Sequence, residues 1–174
     1  MTTEVKHLPV LYSLRNCPYA MRARIAIFKA QQIVILRDIV LSNKPQEMIT
    51  ASPKATVPVL VLANGSVIEE SLAVMWALNE TDPDDLLQSQ HEQNLTAMLK
   101  LIECFDDEFK TCLEQYKCAK RYQEKNIIEC RERCELFIKV LEERLTINSF
   151  LMSNKESLAD IAILPYIRQF ARIE

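Results

Sequence analysis

The chain has 174 residues, of which 49% are hydrophobic and 26% charged, a composition typical of a soluble globular protein with one large domain or two small ones. Its net charge of −3 comes without a basic tail or a long run of like charges, which argues against nucleic acid or an anionic membrane as the main partner. The N-terminus lacks the apolar core of a signal peptide, and no apolar stretch approaches the roughly 20 residues that cross a bilayer. We therefore expect a cytoplasmic protein.

The first half of the chain alternates between strand and helix patterns. Residues 9–13 predict a strand, and residues 18–30 predict a helix with Pro18 in its first turn, where the missing N–H is tolerated. The β-branched run over residues 33–40 predicts a second, largely buried strand. The remaining elements of this half are, in order, a short helix ending near Thr50, strands over 57–62 and 66–68 joined by an Asn64-Gly65 turn, and a helix over 70–79.

The second half predicts helices only. Residues 80–85 are polar and include the helix breaker Pro83, so residues 80–87 are interpreted as a linker between domains. Apolar residues at helical spacing then predict long helices over 89–119 and 122–145. Ser157 can cap the N–H of Asp160, which can reach back in the reciprocal pattern of a capping box, so a last helix is expected to begin there.

Glycine and cysteine usage excludes several kinds of site. Gly65 is the only glycine, which excludes the Gly-rich phosphate-binding loops of the Rossmann and P-loop types. Five of the six cysteines lie in helical sequence of the second half, unlike those of a short, loop-rich disulfide scaffold. A metal site would need ligands from helix interiors rather than tight turns. No metal is therefore expected, and these cysteines are interpreted as small apolar residues of a reduced core.

Cys17 is the candidate catalytic residue. It follows the first strand and immediately precedes Pro18, so its thiol lies at a helix N-terminus, where free N–H groups and the helix dipole favour the reactive thiolate. The fourth position of the motif is Ala20 rather than a second cysteine. The expected chemistry therefore uses one thiol, with the resolving thiol supplied from elsewhere.

Pro58 stands at the start of an apolar strand, where proline is not accommodated in a central ladder without cause. A cis Val57–Pro58 bond would place a tight turn there. The backbone of Val57 would then face a ligand beside Cys17. An ordinary trans proline at a strand edge is the alternative.

Four blocks of the sequence together resemble the cytosolic glutathione transferase superfamily. They are Cys17-Pro18-Tyr19-Ala20 after a strand, Val57-Pro58 at the start of the third strand, Glu70-Ser71 at a helix start, and Ser157-Leu158-Ala159-Asp160 in the helical half. Together with Lys44-Pro45, the pattern is most similar to the omega-type and related bacterial cysteine-type members.

This resemblance implies an α/β, thioredoxin-like domain over residues 1–79, with βαβ-αββα order around a mixed four-stranded sheet. A linker over 80–87 and an all-α domain over 88–174 would follow. Members of the family usually continue through further helices, so the all-α domain is expected to lack its last helices.

The resemblance also implies glutathione as co-substrate and assigns its binding residues. Ser71 would bind the γ-glutamyl carboxylate at a helix N-terminus, and Glu70 would pair with the γ-glutamyl amine. The backbone of Val57, beside Pro58, would pair with the cysteinyl part of glutathione like an added strand. Tyr19 would line the site.

The glycyl carboxylate of glutathione requires a cation. Lys44 is the best candidate for this role, and Lys29, Lys54 and Arg15 are alternatives. Asp160 is implied to be a folding and capping residue rather than a catalyst.

The expected function is glutathione-dependent thiol transfer, in which Cys17 reduces mixed disulfides or dehydroascorbate and conjugates electrophiles only weakly. Some members of the family use tyrosine or serine instead, but Tyr12 is interpreted as packing against the sheet and Ser13 is not favoured. The alternatives are a non-enzymatic interaction module and a redox sensor. Expected partners are glutathione, a small electrophilic or disulfide substrate and a second copy of the chain in a homodimer.

Overall fold

The computed structural model describes residues 7–70, 72–88 and 92–173. The chain folds into two compact units, Met1–Asp84 and Asp85–Glu174. None of the helices in these described ranges combines the length and the apolar character needed to cross a membrane.

The first unit is built on a mixed four-stranded sheet with strand order β2-β1-β3-β4. Its elements are β1 (Val10–Ser13), α1 (Pro18–Lys29), β2 (Ile35–Asp38), α2 (Gln46–Ala51), β3 (Val59–Val61), β4 (Val67–Glu69) and α3 (Leu72–Glu80). β1 runs parallel to β2 and antiparallel to β3, which is antiparallel to β4. This arrangement confirms the thioredoxin-like βαβ-αββα fold.

The two faces of the sheet are buried by different helices. Tyr12 and Val59 pair in register and pack with Ile39 and Met48 of the α2 side in one apolar cluster. The alternate residues of β1 and β3 are equally buried, and they point to the opposite face because side chains alternate along a strand. Small alanines of α1 are fully buried where it packs on α3.

The prediction of a largely buried second strand is wrong. All four residues of β2 are exposed, because β2 is an edge strand that pairs only with β1. A β-branched run fits any pleated surface, and it does not distinguish a central strand from an edge strand. The strand is also shorter than predicted, and Val40 forms only an isolated bridge with Asn43.

The described part of the second unit is helical. Its elements are α4 (Glu92–Cys104), a π-helical segment (Phe105–Phe109), α5 (Lys110–Tyr122), α6 (Ile127–Ile147) and α7 (Leu158–Ala171). The helix expected over 89–119 is thus realised as α4 and α5, joined by the π-helical segment; residues 89–91 lie outside the described ranges.

Aromatic side chains form the core of this unit. Phe105 and Phe109, both from the π-helical segment, are at most 1% exposed, with ring centroids 4.9 Å apart. Phe109 also meets Phe137 of α6 at 5.6 Å and Tyr166 of α7 at 6.3 Å, both edge to face, the geometry that aromatic quadrupoles prefer. One side chain therefore connects three helical segments.

The predicted capping box at the start of α7 is confirmed. The Asp160 carboxylate accepts the N–H of Ser157 at 2.9 Å and its hydroxyl at 2.6 Å. The second oxygen of the same carboxylate accepts the N–H of Leu151 at 2.9 Å. Asp160 therefore fixes both the first turn of α7 and the connector before it.

Candidate active site

Cys17 is the N-cap residue of α1, with extended backbone angles (φ −76°, ψ 124°). Its carbonyl accepts the first helical hydrogen bond, from the N–H of Met21 at 2.9 Å, and its own N–H closes the preceding turn on the carbonyl of Leu14 at 3.2 Å. The side chain is half-buried. Cys17 therefore directly precedes the free N–H groups of the first helical turn, and its side chain makes no capping hydrogen bond with them.

The Val57–Pro58 bond is cis, which decides between the cis and trans alternatives that the sequence left open. The thiol of Cys17 donates a long hydrogen bond of 3.9 Å to the carbonyl oxygen of Val57. These residues meet because β1 and β3 pair antiparallel, with Tyr12 opposite Val59, so the end of one strand adjoins the start of the other.

Glu70 joins the same group through its backbone. Its N–H donates to the carbonyl of Pro58 at 3.0 Å, and its φ of 59° lies in the left-handed region, which non-glycine residues adopt rarely. Cys17, the cis proline and Glu70 come from three separate blocks of sequence. Strand pairing and the hydrogen bonds of Cys17 to Val57 and of Glu70 to Pro58 bring them together.

A lysine pairs with the exposed Glu70 carboxylate. Lys54 Nζ lies 3.3 Å from an oxygen of Glu70 and 3.6 Å from one of Glu69. Hydrogen bonding to Glu70 and the charges of both carboxylates raise the pKa of Lys54 above its ordinary value. The buried hydroxyl of Ser52 donates to the other oxygen of the Glu69 carboxylate.

The candidate cations for the glycyl carboxylate fall in different places. Lys44 is half-buried and directly precedes Pro45, the N-cap of α2. Lys29 lies in the last turn of α1, 3.6 Å from Asp84. Since a helix rises 1.5 Å per residue, Lys29 is about 18 Å along α1 from Cys17. This distance is too long for Lys29 to bind a carboxylate of a glutathione held at Cys17.

Of the remaining predicted residues, Tyr19 is half-buried in the first turn of α1, and the Arg22 guanidinium carbon lies 5.1 Å from its ring centroid. Ser71 lies outside the described residues. Tyr12 packs in the apolar cluster of the sheet, which confirms its packing interpretation. The Ser13 hydroxyl is buried and accepts a hydrogen bond from Arg24.

Two arginines near the site were missed by sequence reasoning. Arg22 is only 1% exposed, on the face of α1 that also buries Ala23 and Ala26. Arg24 contacts the turn that precedes Cys17. The sequence does carry one sign of a buried arginine, since Arg22 falls at a position that the apolar spacing of α1 places on its buried face. A fully buried arginine is rare without a specific arrangement around it.

The cysteines of the second unit differ from Cys17. Cys112, Cys130 and Cys134 are buried where α5 packs on α6. Burial raises the pKa of Cys134 to about 12, and the other two thiols add to this effect. Within the described ranges no group of three or more His, Cys, Asp or Glu side chains is placed to hold a metal ion.

A separate open cavity of about 590 Å³ lies in the first unit between α2 and the β3–β4 hairpin. Its lining includes Thr50, Val61 and Val67. None of the described candidate site residues lines it, so it is distinct from the group around Cys17.

Comparison with known proteins identifies a group of relatives. A family described as the glutathione S-transferase N-terminal domain matches residues 11–86. Glutathione S-transferase omega-1 of Mus musculus is 28% identical over 168 residues, covering 94% of this chain and 68% of the relative. A probable glutathione transferase of Aplysia californica is 40% identical over 70 residues, covering 40% of this chain and 75% of the relative.

Solved structures show the same fold. Glutathione transferase Omega 3C from Trametes versicolor matches with a TM-score of 0.81 at 19% identity, covering 94% of this chain and 73% of that chain. The chain spans about two thirds of the length of the mouse omega-1 relative.

Proposed function

Because the chain belongs to the glutathione transferase superfamily, we propose that it is a cysteine-type enzyme that transfers thiols between glutathione and small disulfides. One observation carries the proposal. Cys17 is the N-cap residue of α1, and its thiol lies 3.9 Å from the carbonyl oxygen of Val57, beside the cis Pro58, whose own carbonyl accepts the N–H of Glu70. A thiol at a helix N-terminus is placed for nucleophilic attack, and the adjoining backbone can receive a peptide ligand.

The proposed reaction has two exchange steps. The Cys17 thiolate attacks the glutathione sulfur of a mixed disulfide, a new S–S bond forms between Cys17 and glutathione, and the substrate leaves as a thiolate that takes up a proton. The thiolate of a second glutathione then attacks that bond, which releases glutathione disulfide and regenerates the Cys17 thiolate. Overall, one mixed disulfide is reduced and one glutathione disulfide is formed.

A second glutathione is needed because Cys17 is the only cysteine in residues 1–84, and the fourth position of its motif is Ala20. With dehydroascorbate as the oxidant, two glutathiones would be oxidised to one disulfide while the substrate takes up two electrons and two protons. Direct conjugation to electrophiles is expected to be weak, because Cys17 would be held in a mixed disulfide instead of leaving glutathione as a free thiolate.

Glutathione would bind along the residues that adjoin Cys17. We assign its cysteinyl backbone to Val57 beside Pro58, its γ-glutamyl amine to Glu70 and its γ-glutamyl carboxylate to Ser71. Since Lys54 already lies 3.3 Å from the Glu70 carboxylate, the ammonium of the ligand would share or replace this partner.

At the other end of the ligand, we assign the glycyl carboxylate to Lys44, with Tyr19 lining the site. Residues 1–79 would act as the glutathione-binding domain, joined through the linker 80–87 to the helical domain 88–174. A homodimer and a cytoplasmic location, where reduced glutathione is available, complete the proposal.

The test is the glutathione-dependent reduction of the mixed disulfide of glutathione and mercaptoethanol. We expect Cys17→Ser to reduce the rate to that of the uncatalysed reaction, because a hydroxyl does not exchange with disulfides. Cys118→Ser is the matched control, since Cys118 is an exposed thiol of the second unit, and it should retain full activity. Equal rates for Cys17→Ser and the unaltered protein would contradict the cysteine mechanism.

Binding to immobilised glutathione separates an enzyme from an interaction module. Glu70→Gln should weaken binding about tenfold, because it replaces a charged hydrogen bond to an ammonium with a neutral one. Retention on glutathione without turnover would favour a binding module or a sensor. Failure to bind glutathione at all would contradict the assignment of the site.

A further inference from the structure

We propose that Arg24 is the positioning residue of Cys17, because its guanidinium fixes the turn that carries the thiol. The inference deepens the proposed function, since it rests on Cys17 being the reacting group. Arg24 lies in α1, seven residues after Cys17, and therefore about two turns further along the same helix face.

The contacts of Arg24 reach three successive residues. Nη1 donates to the hydroxyl of Ser13 and, at 3.2 Å, to the carbonyl of Leu14. Nη2 donates to the carbonyl of Arg15 at 3.0 Å. The Leu14 carbonyl also accepts the N–H of Cys17 at 3.2 Å, so the guanidinium and the cysteine share one acceptor.

This arrangement connects the two rigid elements that flank the turn. Ser13 is the last residue of β1 and is only 1% exposed, and Arg24 belongs to α1. Helical side chains slope towards the N-terminus of their helix, which brings the guanidinium of Arg24 back to the turn. The turn from β1 to Cys17 is therefore held from both sides.

A guanidinium suits this role better than other side chains. Its planar fork presents five N–H donors in fixed directions, whereas a lysine ammonium is a compact point charge on a flexible stem. One ammonium could satisfy one or two of the three acceptors but would not hold all three in register. Loss of the fork would let the turn and the Cys17 backbone move, and displacement of about 1 Å at a reacting group can reduce rates by up to about a hundredfold.

Geometry and charge are separable by the choice of variant. Arg24→Lys keeps the positive charge and loses the fork, whereas Arg24→Gln loses both. Arg37→Gln removes a cation from the exposed strand β2 and serves as the charge-matched control. Arg15 and Arg22 remain near the turn in every variant, so the other nearby cations are constant.

The experiment measures the rate at which iodoacetamide alkylates Cys17 across a range of pH, with each cysteine followed by peptide mass spectrometry. Cys118 is exposed and provides an internal reference for the reagent, and the buried Cys134 reports global unfolding. Thermal melting of each variant measures stability separately. No glutathione is needed.

We expect Arg24→Lys and Arg24→Gln both to slow Cys17 alkylation by about tenfold near neutral pH. Cys118 should be unaffected, and Arg37→Gln should match the unaltered protein. A normal Cys17 rate in Arg24→Lys would overturn the inference in favour of a charge effect. A lower melting temperature with an unchanged Cys17 profile would overturn it in favour of a purely structural role.

If the Arg24 variants unfold, as rapid labelling of Cys134 would reveal, Ser13→Ala tests the same turn by removing one of the three acceptors. Ser13→Ala should slow the alkylation of Cys17 in the folded protein, and an unchanged alkylation rate would overturn the inference. An alkylation effect without glutathione turnover would refute the proposed function but not the positioning role. Turnover that depends on Cys17 but not on Arg24 would refute the positioning role of Arg24 but not the proposed function.

Discussion

The two units place the same side chain in opposite environments. In the first unit, Cys17 caps a helix and is half-buried beside a backbone carbonyl. In the second, Cys134 is fully buried between two helices, and its pKa is raised to about 12. The position of a cysteine in the fold, rather than its presence alone, therefore decides whether its thiol is available to react.

The units also differ in what holds them in place. The turn before Cys17 is held by hydrogen bonds from Arg24 and from the backbone, whereas the second unit depends on edge-to-face aromatic contacts around Phe109. Hydrogen bonds fix direction, while apolar packing supplies most of the free energy of folding. Substitutions in the two units should therefore have different consequences.

The largest expected contrast is in thiol labelling. With its pKa near 12, Cys134 is almost entirely protonated near pH 8, and we expect it to be alkylated about a thousandfold more slowly than Cys17 in the folded protein. The measurement is time-resolved peptide mass spectrometry, and all six cysteines should react at similar rates in denaturant. Comparable alkylation rates for Cys17 and Cys134 in the folded protein would show that the two environments do not differ in thiol reactivity.

Next in size is the loss of an aromatic side chain. Phe109→Ala should lower the free energy of unfolding by about 3–5 kcal/mol, because it removes a fully buried ring that contacts several helices. Phe28→Ala is the matched control, since Phe28 is 80% exposed, and its effect should be about 0.5 kcal/mol or less. Urea denaturation measures both, and similar effects would contradict the core assignment.

The raised pKa of Cys134 also makes stability depend on pH. Because the thiol keeps its proton longer in the folded state, its contribution is complete below pH 9 and is lost as the pH rises towards 12. The free energy of unfolding should fall by up to about 1.4 kcal/mol per pH unit across this window on account of this group.

Cys134→Ala should remove that part of the slope, while Cys118→Ala, at an exposed position, should leave it unchanged. Denaturation curves at several alkaline pH values provide the measurement. An identical slope in Cys134→Ala and the unaltered protein would show that this thiol does not contribute.

The smallest expected effect concerns the start of α7. Asp160→Ala removes the acceptor for Ser157 and for the N–H of Leu151, and it should lower the free energy of unfolding by about 1–2 kcal/mol. Glu142→Ala, at an exposed position of α6, is the control and should change little. An Asp160→Ala protein as stable as the control would show that the capping box is dispensable.

Local features of the chain were predictable because their causes are local. Pro18 after Cys17 defines a helix start, and the Ser157–Asp160 spacing defines a capping box. Pro58 at a strand start raised the cis bond as one of two alternatives, and the structure contains it. The order of strands and helices followed from apolar spacing and turn residues. The catalytic role of Cys17 and the assignments of the glutathione-binding residues remain predictions.

The tertiary structure decided everything that depends on which residues meet. The exposure of β2 follows from its edge position in the sheet, which an apolar run does not reveal. Lys54 pairs with Glu70 only because the fold brings their two segments together. In the same way, the packing of α1 lets Arg24 reach the turn before Cys17. The sequence alone thus determined a thiol at a helix N-terminus in a thioredoxin-like domain, because backbone preferences act within a few residues. The neighbours that hold that thiol were decided by strand pairing and helix packing, which act between segments distant in sequence.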